Sequence, residues 1–217
     1  MTFEDFKNIV KAEFPDVTDE QMARFEVMDT LYRDWNSKIN VISRKDMDGF
    51  YEHHVLHSLG IAAWWRRQGI VSDGEGVTVL DLGTGGGFPG IPLAVLFPKM
   101  QFTLCDSIGK KIKVATEVAA ALGLKNVQTV NARAESLPGP FDFVVSRAVT
   151  SLDNFYPWVK GKFTKGIFYL KGGDVNEEIC TLMQRERMQK GSVHTWRIDE
   201  WLQDEWYNEK FVIQIDI

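Results

Sequence analysis

The chain has 217 residues, 44% of them hydrophobic and 25% charged, with a formal net charge of −5 and two cysteines. That length suits one full α/β domain with a modest extension and excludes two large domains. No apolar run reaches the length of a membrane span, and Met1 to Lys11 has neither the basic start nor the apolar core of a signal peptide, so a cytoplasmic location is expected. The acidic balance argues against a chain that coats nucleic acid non-specifically, an affinity that comes from counterions displaced from phosphate, but it leaves room for a local basic face.

In chain order, Glu4 to Phe14 carries Phe6, Ile9, Val10 and Phe14 at helical spacing, and Pro15 ends the run. Thr18 is a candidate N-cap with Gln21 three residues on, opening a second helix through Met22, Phe25, Met28, Leu31, Tyr32 and Trp35. Asn36 to Arg44 reads as a polar connection, and a further helix is expected from about Asp46 to Arg67. That helix carries His53 and His57 one turn apart, with His54 between them. Without a nearby Cys or an H-E-x-x-H pattern they read as ordinary surface or buried histidines and no metal is expected. The turn-rich Ser72 to Gly76 is the expected boundary between a helical cap, residues 1–71, and an α/β domain, residues 72–217.

The next stretch, VTVLDLGTGGGFPG at Val77 to Gly90, organises the rest. An apolar, β-branched run ending at Asp81 and Leu82 predicts a buried strand. Gly83, Gly85, Gly86 and Gly87 break it with residues that tolerate positive φ and close ligand approach. Phe88 to Phe97 then reads as a helix packed on a sheet, with Pro92 in its first turn. A strand, glycine loop and helix of this kind bind nucleotide-like ligands in many proteins. Gly85 to Gly90 satisfies G-x-G-x-x-G, a weak signal by itself. The alternative ligand is S-adenosylmethionine, its methionine end on the glycine loop and its ribose held by an acid after the next strand. Asp106 follows the strand Gln101 to Cys105 and fits that role; its bland reading is a cap for the helix beginning near Gly109.

Strands at Val127 to Val130, Phe141 to Val145 and Ile167 to Leu170 alternate with helices at Lys110 to Leu122, from Asn154, and at Val175 to Lys190. This pattern predicts a mostly parallel sheet covered on both faces. Two closing strands, Val193 to Ile198 and Phe211 to Ile215, form an expected antiparallel pair of the kind that separates methyltransferase-type sheets from dinucleotide dehydrogenase sheets. Cys105 and Cys180 lie far apart and imply neither a disulfide nor a zinc site.

Ligand sites in such sheets gather at the carboxyl ends of the strands. Those ends carry Asp81, Gly83, Gly85, Gly87 and Phe88 after the first strand and Asp106 and Ser107 after the second. Arg133, Ala134 and Glu135 follow the third, Ser146 and Arg147 the fourth, and Lys171 the fifth. Asp106 and Glu135 suit ribose and adenine. Lys110, Lys111, Arg133, Arg147 and Lys171 supply positive charge at the same rim and favour an anionic substrate.

Together, DLGTGGGFPGIPLAVLFP at Asp81 to Pro98, CDSIGKK at Cys105 to Lys111, RAE at Arg133 to Glu135, FDFVVSRA at Phe141 to Ala148 and YLKG at Tyr169 to Gly172 resemble the glucose-inhibited division protein B (RsmG) family. WNSKINVIS at Trp35 to Ser43 and HVLHS at His54 to Ser58 are similar to that family's cap segments. The resemblance runs from about Trp35 to Gly173. Two positions depart from it: His57 stands where the family usually has Asp, and Val41 where Leu is usual.

The resemblance implies a Rossmann-like, class I S-adenosylmethionine-dependent methyltransferase acting on N7 of one guanine in small-subunit (16S) ribosomal RNA. Gly83 and Phe88 would hold the cofactor, Ala134 and Glu135 would meet its adenine side, and Arg147 would line the site. Guanine N7 is a bare lone pair at neutral pH, so no general base is required. Arg147 or Arg133 is then expected to position the base, while Asn36, Lys110, Lys111, Arg133 and Lys171 are expected to contact RNA. The expected substrate is the RNA or a ribosomal particle, and the expected state is a monomer. A methyltransferase of another substrate, and a non-catalytic regulator that binds the cofactor, are the alternatives.

Overall fold

A computed structural model describes residues 1–71 and 74–216, so the first two residues of the expected boundary, Ser72 and Asp73, lie outside the described residues. Helices α1 (Phe3–Glu13), α2 (Asp19–Lys38) and α3 (His57–Gln68) precede an alternating series. It runs β1 (Thr78–Leu82), α4 (Gly90–Leu96), β2 (Gln101–Asp106), α5 (Gly109–Ala121), β3 (Val127–Asn131), β4 (Phe141–Arg147), α6 (Leu152–Val159), β5 (Phe163–Gly172), α7 (Asn176–Glu186), β6 (Val193–Arg197) and β7 (Lys210–Asp216). The seven strands lie in the order β3-β2-β1-β4-β5-β7-β6. Neighbours among β1 to β5 are parallel, and β7 runs antiparallel to both β5 and β6. This is the expected sheet, with the antiparallel closure that a dinucleotide dehydrogenase sheet lacks.

Alternation along the central strands divides the core. Val79, Phe143, Val145, Phe168 and Leu170 face the layer containing α1 to α5, with Phe25, Met28, Trp65, Leu93 and Val114 packed against them. Leu80, Val144, Ile167 and Tyr169 face the opposite way, onto Leu152 and Phe155 of α6 and Leu182 of α7. The cap helices therefore share a core with the sheet. At the start of α2 the Thr18–Gln21 capping box forms as expected, and the Gln21 carboxamide donates to the Val95 and Leu96 carbonyls at the end of α4. Near its other end Tyr32 donates to the Gly86 carbonyl at 2.8 Å. Helix α2 thus spans the height of the sheet and delivers residues 36–49 beside the glycine loop.

Several boundaries differ from the expectation. The helix expected from about Asp46 to Arg67 is split: turns occupy 44–49, Phe50–Leu56 is a π-helical turn, and α3 begins at His57. Gly49 disfavours helix, and a Cβ there would lie 2.5 Å from His53 Nδ1. Strand β5 starts at Phe163, which pairs with Phe141 of β4, and so extends through the exposed Thr164 and Lys165 that lie before the apolar run that marked it. Helix α6 begins at Leu152, whose amide donates to Glu178 Oε2, a cap supplied from α7 and so invisible in local sequence. Helix α7 stops at Glu186, where Arg187 turns to φ 52°.

Candidate active site

The order β2-β1-β4 at the sheet centre marks a switch point, where parallel connections diverge and leave a crevice at the carboxyl ends of the strands. Residues 83–89 fill the turn from β1 to α4. Gly83 has φ 73°, and a Cβ on it would lie 2.4 Å from Val149 Cγ2. Gly87 has φ 113°, and a Cβ there would meet Ile91 and the Tyr32 hydroxyl. Both positions therefore require glycine for conformation and for room.

Two aspartates fix this loop. Asp81 is fully buried, and its Oδ2 accepts from Thr84 Oγ1 at 2.6 Å and from the Gly90 amide at 2.7 Å. Burial pushes its carboxyl up to about 7, against the pull of those hydrogen bonds and of Arg147. Asp106 accepts from the Gly85 amide through Oδ2 and from the Ile108 amide through Oδ1. It fastens the glycine loop and the turn before α5, whose N-cap position is Ile108 and carries no side-chain cap, so Asp106 does not cap the helix itself. Each carboxylate oxygen keeps a lone pair for a further donor.

Above them lies a cleft of 540 Å³ that gathers Gly83, Asp106, Ser107, Lys111, Arg133, Ala134, Glu135 and Arg147 from the expected set. Arg133 and Glu135 stand on its wall without pairing with each other. The Arg147 guanidinium lies 5.0 Å over the Phe88 ring and makes no hydrogen bond among the described residues. Burial lowers its pKa to about 10, with Asp81 acting against the drop, so it stays charged at neutral pH.

The remaining expected residues stand elsewhere. Asp81, Gly85, Gly87 and Phe88 support the cleft from beneath or beside it, Phe88 packing on Tyr32, Phe50 and His54. Lys110 is exposed one residue outside the wall. Asn36, in the last turn of α2, is engaged with the loop that follows, accepting from the Val41 and Ile42 amides and donating to the Ile42 carbonyl. Lys171 is held away from the cleft: its ammonium pairs with Glu178 at 2.7 Å and donates to the Thr150 carbonyl at 3.1 Å. The histidines expected to be ordinary are stacked or buried, and among the described residues no three His, Cys, Asp or Glu side chains are grouped to hold a metal.

Sequence reasoning missed Ile108, Val149 and Trp158, which line the cleft although each is exposed. Ile108 and Val149 lie two residues beyond strand ends already singled out, so a slightly longer window reaches them. Trp158 arrives from α6 with no local signal. A second cleft of 360 Å³, lined by Phe14, Trp65 and Phe97, lies at the amino ends of the strands, away from these groups.

The residues present fit an S-adenosylmethionine-sized ligand. The volume lies in the usual range for small-molecule sites, the wall at Gly83 lacks side-chain bulk, Asp106 and Glu135 offer acceptors for hydroxyl and amino groups, and Ile108, Ala134, Val149 and Trp158 offer apolar surface for a flat ring.

The model of the family described as rRNA small subunit methyltransferase G matches residues 21–201. A ribosomal RNA small subunit methyltransferase G from Christiangramia forsetii is 52% identical over 179 residues, covering 79% of this chain and 82% of the relative. Its counterpart from Bacteroides fragilis is 53% identical over 183 residues, covering 81% and 86%. Among solved structures, the magnesium protoporphyrin IX methyltransferase of Synechocystis PCC 6803 with bound SAM superposes with a TM-score of 0.62 at 12% identity, covering 93% of this chain and 99% of that one. The T. thermophilus 16S rRNA N2 G1207 methyltransferase with AdoMet and guanosine gives 0.54 at 20% identity, covering 73% and 42%. At these identities the structures establish a shared class I methyltransferase fold.

Proposed function

The chain belongs to the rRNA small subunit methyltransferase G family, and from that membership we propose that it transfers the methyl group of S-adenosylmethionine to N7 of a specific guanine in small-subunit (16S) ribosomal RNA. The observation that carries the reading is the meeting, in one cleft, of a glycine wall and acceptors suited to the cofactor with Lys111, Arg133 and Arg147, cations suited to RNA. Residues 1–71 act as a cap and 72–217 as the methyltransferase domain. The enzyme works in the cytoplasm as a monomer, on RNA or a ribosomal particle.

Gly83, Asp106, Ser107, Ala134 and Glu135 would hold the cofactor, with Asp106 and Glu135 accepting from its ribose and adenine. When bound it supplies a methyl group on a sulfonium, open to attack by a lone pair. Asp81, Gly85 and Gly87 keep the loop in shape. Guanine N7 carries no proton, and the residues facing the cleft include no histidine that must take one. Arg147, charged and without a hydrogen-bond partner among the described residues, donates to guanine O6 and orients N7. Arg133, Lys110 and Lys111 meet the phosphates that flank the base. Asn36 contributes indirectly by shaping residues 36–42, and Lys171 by holding the loop after β4.

The test is labelled methyl transfer to small-subunit RNA and to particles lacking the modification, followed by chain cleavage at N7-methylguanine. A single labelled guanine is expected. Cofactor binding with no labelled RNA overturns the reading.

A further inference from the structure

Among the described residues, four histidine ring nitrogens of the cap are buried without a hydrogen-bond partner, Nδ1 of His53, both nitrogens of His54 and Nε2 of His57, as is the indole nitrogen of Trp65 in α3. Folded proteins leave few buried polar atoms unsatisfied, and each that remains calls for an explanation. His53 stacks on Trp206 at 4.2 Å with Asp46 3.6 Å from its Nδ1, and His57 meets the same indole edge-on at 5.3 Å. Packing on that indole accounts for these two rings.

His54 differs. Neither of its nitrogens is satisfied, and its ring lies 5.4 Å from Phe88, the ring over which Arg147 is stacked at 5.0 Å. An imidazole and a guanidinium, neither of them hydrogen-bonded among the described residues, thus share one aromatic neighbour beside the glycine loop. Asn36 and Tyr32, by contrast, are each anchored by side-chain hydrogen bonds to backbone groups.

We propose that His54 recognises the acceptor base, its imidazole accepting from guanine N1–H while Arg147 donates to O6. The inference rests on the function proposed above. Around the guanine edge N7, O6 and N1–H follow in order, so a base with N7 held for transfer presents O6 next and N1–H beyond it. His54 and Arg147, each within 5.4 Å of the Phe88 ring centroid, would meet these two positions once the base displaces the guanidinium. Adenine offers an amino group where guanine has O6, and Arg147, which can only donate, opposes it. Burial and the charge of Arg147 hold the His54 imidazole down to about 3, so its acceptor lone pair is present at neutral pH. The base enters where the Arg147 guanidinium lies, a group held in place by ring stacking and free to shift.

The experiment compares His54→Phe and His54→Gln with the wild-type protein in steady-state methylation of small-subunit RNA, alongside cofactor affinity and thermal midpoint. His54→Phe is expected to lower kcat/KM for RNA by about 10- to 100-fold. Its cofactor affinity should hold within about twofold, and its thermal midpoint should be equal or higher because two unsatisfied atoms leave an aromatic pocket. His54→Gln, which keeps an acceptor, is expected to recover part of the loss. Wild-type kinetics in the Phe variant, or an equal loss of cofactor affinity, overturns the proposal. A substrate-side arm needs no variant: RNA carrying N1-methylguanine at the acceptor position is expected to be a poorer substrate for the wild-type protein by about tenfold or more. Equal methylation of the two RNAs also overturns the proposal. Wild-type transfer to unmodified RNA is the separate check on the underlying function.

Discussion

Asp81 makes stability depend on pH with an unusual sign. Its carboxyl is fully buried, and burial raises its pKa from 3.8 to about 7. Between those values the folded chain holds a proton that the unfolded chain has released, so stability falls as pH rises through the window, and the contribution is fully present only below the unfolded value. A shift of about three units corresponds to about 4 kcal/mol across the whole window, and to roughly 3 kcal/mol between about pH 5 and pH 8. Asp81→Asn isolates this effect: one amide oxygen still accepts from Thr84 Oγ1 and the Gly90 amide, as Oδ2 does, but nothing titrates. The buried histidines act in the opposite sense. The pKa values of His54 and His57 lie below the ordinary histidine value, so their contribution to stability rises with pH up to that value. The wild-type profile is therefore flattened, and the difference between the two proteins carries the test. Urea unfolding at several pH values should show the variant gaining on the wild type as pH rises from about 5 to 8. A difference that is flat in pH refutes the buried, protonated carboxyl.

Three further outcomes follow from the same geometry. Arg147→Ala should reduce methyl transfer by about 100-fold while changing the thermal midpoint little, because the guanidinium makes no hydrogen bond among the described residues and its main packing contact is the Phe88 ring; an equal loss of activity and stability removes its positioning role. Gly83→Ala forces φ 73° on a residue whose Cβ meets Val149 at 2.4 Å, whereas Gly123→Ala at φ 66° meets nothing within 4 Å. Both should lose about 1–2 kcal/mol to backbone strain, but only Gly83→Ala should weaken cofactor binding in calorimetry, by about tenfold or more. Lys171→Met leaves Glu178 half-paired beside the Leu152 amide and should cost about 2–3 kcal/mol in unfolding experiments, with the salt dependence of RNA binding unchanged. A reduced salt slope with full stability would return Lys171 to the RNA surface.

The fold was legible because its signals are local. Apolar runs of strand length, glycines where the backbone must take positive φ, and the Thr18–Gln21 pair each report on a few neighbouring residues, and those elements stand where the spacing puts them. The strand-end rule also gathered Asp106, Arg133, Glu135 and Arg147 into one cleft. It could not tell which way a strand-end side chain faces. Asp81 and Asp106 look alike in sequence, each an acid at the end of an apolar run. Yet Asp81 turns into the protein toward Thr84 and Gly90, and Asp106 borders the cleft.

What sequence withholds is the partner, since the partner comes from far along the chain. Lys171 looked like a rim cation because nothing near it announces Glu178, brought alongside by α7. The Tyr207 hydroxyl donates to the Glu52 carbonyl 155 residues away, and Trp64 donates to Gln214 across 150. These contacts clamp the C-terminal strands onto the cap and settle where the π-helical turn sits, so His54 faces Phe88 while His53 and His57 face Trp206. Three histidines with one composition and one short spacing thus acquire different surroundings. A group's place at a strand end or on a helix face names its neighbourhood, but its chemistry is decided by whether a distant residue has already claimed its hydrogen bonds. Glu178 has claimed those of Lys171, and none of the described residues has claimed those of Arg147.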